Sequence, residues 1–536
     1  MKKILFIALF LMSFCGFSQE DAWVYFNDKP NEQAFFDNPL TALTQRALDR
    51  RTAQGIALNS TDAPIEQTYI DQITASTGIT VKAKSKWLNC LHIRGSIADI
   101  TTLTSLPFVN HIHFANNALN AKMTAPKTIN PVNKQLDVQT TFNYGSSVNQ
   151  IQMLNGQTLH QANYTGSGKI IAVLDSGFIG VNSIAPFTRM FTNNQYLGGY
   201  NFVAGNNDIF STHNHGTMTL SCMTGYVDGQ LVGTAPDAQY YLFITEDVAS
   251  ENPVEESYWV EGAEEADRLG ADIISTSLGY FSYDNPSYSH SYSEMTGNVA
   301  FASQGANIAF SKGMVVVASA GNSGGTANPN IGVPAEATNV LAVGAVQSDR
   351  SYAAFSSIGP SFDNRIKPDV MAQGQNSVLS FTDGTIGTAS GTSFSCPIMA
   401  GMIASFWQAI PWATNAQIIQ FVKQSADRYT TPDAQYGYGI PDFGVALNNA
   451  LLKNEEYAEN KYKIAPNPTN DSISIMQPDG FETTKISLYN ALGQLVLEEY
   501  TSEAFFTISL RFLPKGVYEY KIVNNSAIQS GKIIKN

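Results

Sequence analysis

Ser393 lies where a serine could act as a nucleophile, in the stretch TASGTSFSCPIMAGM over 388–402. The turn Gly391-Thr392 precedes it, and a mostly apolar run that favours a helix follows it, with Pro397 expected in the tolerant first turn. A serine at the start of a buried helix lies beside free backbone N–H groups and the positive end of the helix dipole. The oxyanion of an acyl transfer needs such donors. A serine in this position is more often only a helix cap, so other residues must decide between the two roles.

Three further residues would supply what a serine nucleophile requires. Asp175 ends the apolar run AVLD, and His215 stands in NHGT at the start of a predicted helix. In such a triad the histidine takes the serine proton, and the aspartate orients the imidazole and stabilises its cation. Asn322, in SAGNSG, could donate its side-chain amide to the oxyanion. His213 competes for the role of base, but only His215 is followed by Gly-Thr.

The elements that must position these residues predict an α/β fold. Short β-branched runs alternate with helix-like segments, and the runs are KIIAVLD, QYYLFIT, DIISTSL, MVVVASAG and NVLAVGAV. Weak alternation within each run indicates strands buried on both faces, hence a mostly parallel sheet with helices on both faces. Ligands of such sheets bind beyond the carboxyl ends of the strands, where Asp175 and Asn322 stand.

The flanking regions have different patterns. A small α+β unit comes first, with a predicted helix over 38–55 that has a basic end at Arg46, Arg50 and Arg51, and alternating strands near the C-terminus predict a small β-sandwich. We therefore divide the chain as follows: signal peptide 1–18, α+β unit 19–124, linker and entry to the α/β domain 125–158, α/β domain 159–452, linker 453–462 and β-sandwich 463–536.

Composition limits the classes of function. The chain has 536 residues, of which 43% are hydrophobic and 14% charged, as expected for a packed multidomain protein. A formal net charge of -14 argues against a nucleic-acid partner or an anionic membrane surface. Lys2 and Lys3 before the apolar run of 4–14 predict a secretory signal, and no later run is long enough to span a bilayer.

The order Asp175, His215, Ser393 and the surrounding motifs resemble the subtilisin-like serine proteases over about 159–449. The resemblance implies that these three residues are the catalytic triad of a serine endopeptidase and that Asn322 is the oxyanion donor. It also implies a segment that pairs with the substrate backbone and a pocket for the residue before the cleaved bond. The segment is Ser277, Leu278 and Gly279, and the pocket residues are Ser319, Ala320, Gly321 and Gly332.

Two features of this resemblance stay open. Cys222 and Cys396 fall on two helices that pack together in the family, so they are either a disulfide or two buried thiols. Many members bind structural calcium, but the loop 226–231 lacks a clear ligand set, and Asp284, Asn285 and Glu294 are more simply solvated loop groups. We therefore predict no metal site and no certain cofactor, and structural calcium stays an open alternative.

The terminal regions also resemble parts of known proteins. The unit over 19–124 is similar in position, size and element order to the inhibitory propeptides of the family. The motifs APNP, YNALGQLV and LPKGVY resemble the C-terminal sorting domain of the type IX secretion system, with a carbohydrate-binding or adhesion sandwich as the alternative. The expectation is a secreted or surface endopeptidase exported through the periplasm, acting on protein or peptide substrates. A catalytically silent surface-binding protein and an esterase are the alternatives.

Overall fold

A computed structural model describes residues 19–120, 142–459, 462–477, 484–490, 493–503, 505–523 and 528–536. The predicted signal peptide and the first half of the linker predicted over 125–158 fall outside these residues. The chain divides into two compact units, Met1–Asn449 and Ala450–Asn536, and each is described by itself.

The N-terminal region of the first unit is a four-stranded antiparallel sheet with short helices, in the strand order β2-β3-β1-β4. Its elements are β1 (Gln19–Phe26), α1 (Glu32–Asp37), α2 (Gln45–Ala53), α3 (Gln67–Thr74), β2 (Thr80–Ser85), β3 (Cys90–Ser96), α4 (Ile97–Thr102) and β4 (Val109–Phe114). The α+β prediction is therefore confirmed. Strand β2 is not predicted, because it is partly exposed and its lysines, Lys82 and Lys84, are residues with low strand propensity.

The rest of the first unit is built on a seven-stranded parallel sheet, with the order β13-β12-β11-β10-β5-β9-β6. The strands of this unit, with two short hairpins, are β5 (Ile170–Asp175), β6 (Tyr196–Asn201), β7 (Tyr226–Val227), β8 (Leu231–Val232), β9 (Gln239–Ile244), β10 (Ile273–Thr276), β11 (Val315–Ser319), β12 (Leu341–Val346), β13 (Val370–Gln373), β14 (Ser377–Ser380) and β15 (Ile386–Ala389). The five predicted apolar runs are all confirmed as central strands. Strand β6 carries two glycines, Gly198 and Gly199, which hide its strand character.

Helices cover both faces of this sheet. They are α5 (Val148–Gln152), α6 (Gln157–Gln161), α7 (Thr188–Thr192), α8 (His215–Thr224), α9 (Val254–Leu269), α10 (Phe301–Ser311), α11 (Thr392–Ala409), α12 (Asn415–Gln424) and α13 (Phe443–Glu459). Alternate residues of β5, such as Ala172 and Leu174, share one core with α9, α10 and Trp23 of the N-terminal sheet. Helices α8 and α11 pack against each other and contact the sheet, α8 at β5 and α11 at its central strands. The predicted α/β architecture is confirmed.

Helix α13 continues to Glu459, so most of the predicted linker over 453–462 is helical. The reason is local, because KNEEYAE is rich in residues with high helix propensity.

The second unit contains two antiparallel sheets around one apolar core, in the orders β16-β17-β20 and β19-β18-β21-β22. The strands are β16 (Lys463–Ala465), β17 (Ser472–Met476), β18 (Thr484–Tyr489), β19 (Leu495–Thr501), β20 (Phe505–Ser509), β21 (Gly516–Val523) and β22 (Ile528–Lys535). The small β fold predicted here is confirmed. Across the described residues of both units, no helix has the length and apolar character needed to cross a bilayer.

Candidate active site

Asp175 and His215 meet at the carboxyl end of the central strand β5. His215 opens α8, and its Nδ1 lies 2.7 Å from Asp175 Oδ1. The other carboxylate oxygen accepts a hydrogen bond from Thr219 Oγ1 at 3.0 Å, and Ser176 N donates to Oδ1 at 2.8 Å. The competing histidine, His213, instead has its Nδ1 2.9 Å from Ser176 Oγ. The carboxylate is therefore oriented toward His215 alone of the two histidines.

The protein environment favours the protonated form of the His215 imidazole more than water does. Burial lowers the pKa of His215, but the charge of Asp175 and the hydrogen bond to it outweigh burial and leave that pKa above its usual value. The Asp175 side chain is fully buried, whereas 23% of the His215 side chain stays exposed. A base with one face open to solvent can exchange protons with a bound substrate.

Ser393 is the second residue of α11, and a proline four residues later prevents the usual intrahelical hydrogen bond to the Ser393 backbone carbonyl. Pro397 lies in the second turn, not in the first as predicted, because the helix already begins at Thr392. Pro397 has no N–H to donate to the carbonyl of Ser393, four residues before it. That carbonyl instead accepts a hydrogen bond from Ser277 Oγ at 2.8 Å.

The Ser393 hydroxyl contacts the same neighbouring segment. Its Oγ lies 3.4 Å from the carbonyl oxygen of Ser277. No hydrogen bond between Ser393 and His215 occurs among the described residues. The two residues are nevertheless near each other, because the ring centroid of Phe394, the residue after the serine, lies 6.3 Å from that of His215. Hydrogen bonds of this kind often shorten only when substrate binds. The structure therefore brings the first turn of α11 beside the Asp175–His215 pair.

Asn322 is held by the residue before the serine. Its Oδ1 accepts hydrogen bonds from Thr392 N at 2.9 Å and from Thr392 Oγ1 at 3.0 Å. Thr392 Oγ1 in turn accepts from Gly321 N at 3.1 Å. Because the amide oxygen is engaged, the Nδ2 donors remain; they have no hydrogen-bond partner within the described parts of the chain. Such donors can bind an anionic oxygen near Ser393.

The residues that the resemblance implies for substrate binding form two neighbouring segments. Ser277, Leu278 and Gly279 continue from β10, and Ser319, Ala320 and Gly321 continue from β11. A pair of backbone hydrogen bonds joins Tyr280 to Val333, so Gly332 lies beside the end of the first segment. The structure therefore brings these residues to one edge of the sheet, the edge that carries Asp175 and Asn322.

Cys222 and Cys396 are free, buried thiols rather than a disulfide. Cys222 Sγ lies 3.6 Å from Met218 O, and Cys396 Sγ lies 3.3 Å from Thr276 O. Burial raises the pKa of both thiols to about 12. Of the two alternatives open at the sequence level, the structure therefore has the pair of small buried residues.

The N-terminal α+β unit covers α9 through hydrogen bonds to buried and partly buried side chains. Glu264 accepts from the backbone N–H groups of Lys86 and Trp87, and Glu261 accepts from that of Lys84. Trp23 Nε1 donates to Ser257 Oγ at 2.9 Å. The α+β unit is therefore packed on the central domain, and polar groups of α9 are satisfied by its backbone.

A second contact lies in the last turn of α9. Arg50 and Arg51, on α2, both bind the carboxylate of Asp267; Arg51 Nη2 lies 2.8 Å from Asp267 Oδ2. Arg51 also binds Asp62 at 2.6 Å, and Lys312 binds Asp62 at 2.9 Å. All five side chains are at most 4% exposed. The sequence predicted only a basic helix end here, because the acidic partner is more than 200 residues away.

One group of acidic residues near the site was not predicted. Glu246, Glu251 and Glu255 each offer a carboxylate oxygen, and these oxygens lie within 4.8 Å of one another. Two of the residues predicted to be solvated loop groups instead accept hydrogen bonds from other parts of the chain. Asp284 accepts one from Glu251 N, and Glu294 accepts one from Asn117 Nδ2. The density of acids over 246–256 was the only sequence signal for the cluster.

The fold and the geometry define a class of protein: a parallel α/β protein with Asp, His and Ser at the carboxyl edge of its sheet. Residues 166–439 match the model of the subtilase family, peptidase S8. Residues 21–131 match the peptidase S8 propeptide domain of Bacteroidota, and residues 463–536 match the secretion system C-terminal sorting domain. The chain therefore belongs to the subtilase family and is a subtilisin-like serine endopeptidase with a propeptide and a sorting domain.

Similar proteins include subtilisin NAT of Bacillus subtilis subsp. natto, 31% identical over 295 residues, which are 54% of this chain and 68% of the relative. Subtilisin of Bacillus pumilus is 30% identical over 295 residues, which cover 54% of this chain and 94% of the relative. A similar fold occurs in the crystal structure of the epidermin leader peptide processing serine protease of Staphylococcus aureus. The match has a TM-score of 0.54 and 16% identity, and it covers 80% of this chain and 98% of that one.

Proposed function

We propose that this protein is an exported endopeptidase that hydrolyses peptide bonds by way of an acyl-enzyme on Ser393. His215 takes the proton of the serine hydroxyl as Oγ attacks the substrate carbonyl, and Asp175 holds the imidazole and stabilises its cation. The leaving amine takes the proton from His215, and water then releases the acyl group with the same histidine as base. The 2.7 Å contact between His215 and Asp175 is the observation that carries this proposal.

The oxyanion would be stabilised by Asn322 Nδ2 and by a backbone N–H of the first turn of α11. The engagement of the Asn322 oxygen by Thr392 supports this role, because it leaves only donors for a ligand. An added substrate strand would pair with Ser277, Leu278 and Gly279. The side chain before the cleaved bond would then lie near Ser319, Ala320, Gly321 and Gly332, where small residues leave room for a large apolar group.

The terminal regions support a route of maturation. A signal peptide over 1–18 would direct the chain across the inner membrane, and the sorting domain over 463–536 would direct it across the outer membrane through the type IX machinery. The propeptide would assist folding and keep the enzyme inactive until it is removed. The mature product would act at the cell surface or outside the cell on protein or peptide substrates.

The experiment compares casein hydrolysis by the wild-type chain, Ser393→Ala and the control Ser390→Ala. Ser390 lies three residues earlier, so its variant makes the same chemical change outside the proposed machinery. We expect activity in the wild type and in Ser390→Ala, and none in Ser393→Ala. Cleavage by Ser393→Ala would refute the mechanism, and an inactive wild type after propeptide removal would favour the silent surface-binding alternative. Hydrolysis of esters but not of casein would favour an esterase.

A further inference from the structure

The Asp175 carboxylate is held by hydrogen bonds at both of its oxygens. Its Oδ1 lies 2.7 Å from His215 Nδ1 and accepts a hydrogen bond from Ser176 N at 2.8 Å. Its Oδ2 accepts one from Thr219 Oγ1 at 3.0 Å, and no other donor to that oxygen occurs among the described residues. Because the Asp175 side chain is fully buried, bulk water would not replace a donor that is lost from Oδ2.

The position of Thr219 on α8 explains how its hydroxyl reaches this oxygen. Thr219 follows His215 by four residues, about one helical turn, so the two side chains lie on the same face of the helix. Helix α8 also lies very close to the turn after β5, because a Cβ on Gly216 would be only 2.5 Å from Gly177 O. One helix therefore supplies both the proposed base and a donor to the partner of that base.

The single proton of the Thr219 hydroxyl has two acceptors within reach. Thr219 Oγ1 lies 3.0 Å from Asp175 Oδ2 and 3.1 Å from the carbonyl oxygen of Gly216. Hydrogen bonds to an ionised acceptor are roughly twice as strong as those to a neutral one, so the proton is donated to the carboxylate. Thr219 is only 1% exposed, so its hydroxyl contacts the aspartate and cannot contact a bound substrate.

We propose that Thr219 is a positioning residue, which keeps the Asp175 carboxylate rotated so that Oδ1 faces His215 Nδ1. The inference rests on the proposed function, in which His215 is the base and Asp175 is its partner. Without the hydroxyl, Oδ2 would be a buried acceptor with no donor among the described residues, and the carboxylate could rotate away from the imidazole. The imidazole would then lose the orientation and the tautomer that proton transfer from Ser393 requires.

The proposal predicts a loss of kcat at an unchanged KM. From the usual strength of hydrogen bonds to charged groups, we expect Thr219→Val to lower kcat by about 10- to 100-fold. KM should change little, because the side chain does not reach the substrate. Thr219→Ser keeps the hydroxyl and should retain most of the kcat. A role in packing alone predicts the reverse order, because valine preserves the shape of threonine whereas serine leaves a small cavity.

The test measures kcat and KM on a chromogenic peptide substrate, together with the melting temperature, for the wild type, Thr219→Val and Thr219→Ser. Each variant is made as the full chain, and its propeptide is removed by a second protease that is then separated, so that a slow variant does not remain a zymogen. The matched control is Thr217→Val, which makes the same change on the same helix. Thr217 Oγ1 donates to Ile179 O at 2.8 Å, away from the carboxylate.

A double-mutant cycle shows whether Thr219 acts through the aspartate. Thr219→Val is introduced into Asp175→Asn, in which the proposed orienting carboxylate is already lost. We expect less than about threefold further loss of kcat in this background, because the effects of two residues that act through one contact are not additive.

The outcomes separate this inference from the proposed function. We expect kcat to fall in Thr219→Val and to stay near the wild-type value in Thr219→Ser and Thr217→Val. An unchanged kcat in Thr219→Val, an equal loss in Thr217→Val, a greater loss in Thr219→Ser, or additive losses in the double variant would overturn the inference and leave the proposed function intact. An inactive wild type would overturn the proposed function and this inference with it.

Discussion

Asp267 joins the propeptide to the catalytic domain, and its substitution tests how strongly they are held together. The Asp267 carboxylate binds Arg50 and Arg51 of α2, and all three side chains are at most 4% exposed. Burial alone would raise the pKa of Asp267, but the two guanidinium groups hold it below its usual value. The change Asp267→Asn would leave Arg50 without an ion pair among the described residues, and Arg51 with Asp62 as its remaining ion-pair partner there.

The expected magnitude follows from burial. Removing one partner of a buried ion pair usually costs about 3–5 kcal/mol, because the other charge stays buried without compensation. We therefore expect Asp267→Asn to lower the free energy of unfolding of the first unit by about 3–5 kcal/mol. This loss corresponds to a factor of about 100 to 4,000 in the unfolding equilibrium constant. The loss should change little with added salt, since buried pairs are screened less than exposed ones.

The assay is urea unfolding of the full chain with Ser393→Ala, followed by tryptophan fluorescence. All five tryptophans belong to the first unit, so the signal reports on it. The control is Glu265→Gln, which breaks the exposed pair with Arg268 and should cost no more than about 1 kcal/mol. Arg50→Ala should cost a similar amount to Asp267→Asn, and the double variant less than their sum. A loss below about 1 kcal/mol for Asp267→Asn would refute the buried-network reasoning.

Three further predictions concern the site and the propeptide contact. Because the pKa of His215 lies above its usual value, kcat/KM should fall as pH drops through a midpoint above about 6.5, and Asp175→Asn should remove most of the activity at every pH. Asn322→Ala should lower kcat by about 10²–10³ with little change in KM, and an unchanged kcat would exclude Asn322 as oxyanion donor. Burial raises the pKa of Glu261 to about 8, so the stability that its neutral carboxyl contributes is full below about pH 4.5 and is lost as pH rises to about 8. Glu261→Gln keeps the acceptor for Lys84 N but cannot ionise, so the melting temperature of the chain with its propeptide should fall less between about pH 4.5 and 8 than in the parent. A pH profile of melting temperature equal to that of the parent would contradict this.

Much of the fold could be predicted because its strands are local and strongly apolar. The five central runs are buried on both faces, so their β-branched residues identify them without knowledge of neighbours. The sequence could not reveal β6 or β2, because Gly198 and Gly199 weaken the first and the lysines of β2 mark an edge strand. Pro397 was assigned to the wrong turn because helix starts are uncertain by a residue or two.

The candidate site, like the fold, could be predicted only in part. Asp175, His215, Asn322 and Ser393 stand in short motifs at strand or helix ends, so their types and order were enough to single them out. The contacts of Asp267 depend on residues more than 200 positions apart, and periodicity carries no information about such pairs. The state of Cys222 and Cys396 depended on distance and sulfur geometry, which only coordinates supply.

The most direct test of the central claim is the site of covalent labelling by a fluorophosphonate probe. The propeptide-free enzyme is labelled, digested and mapped by mass spectrometry, beside His215→Ala and the control His213→Ala. We predict one adduct, on Ser393, which is retained in His213→Ala and is nearly absent in His215→Ala, because His215 is the one of these two histidines that contacts Asp175. An adduct on another serine, or equal labelling of Ser393 in His215→Ala, would contradict the triad of Asp175, His215 and Ser393.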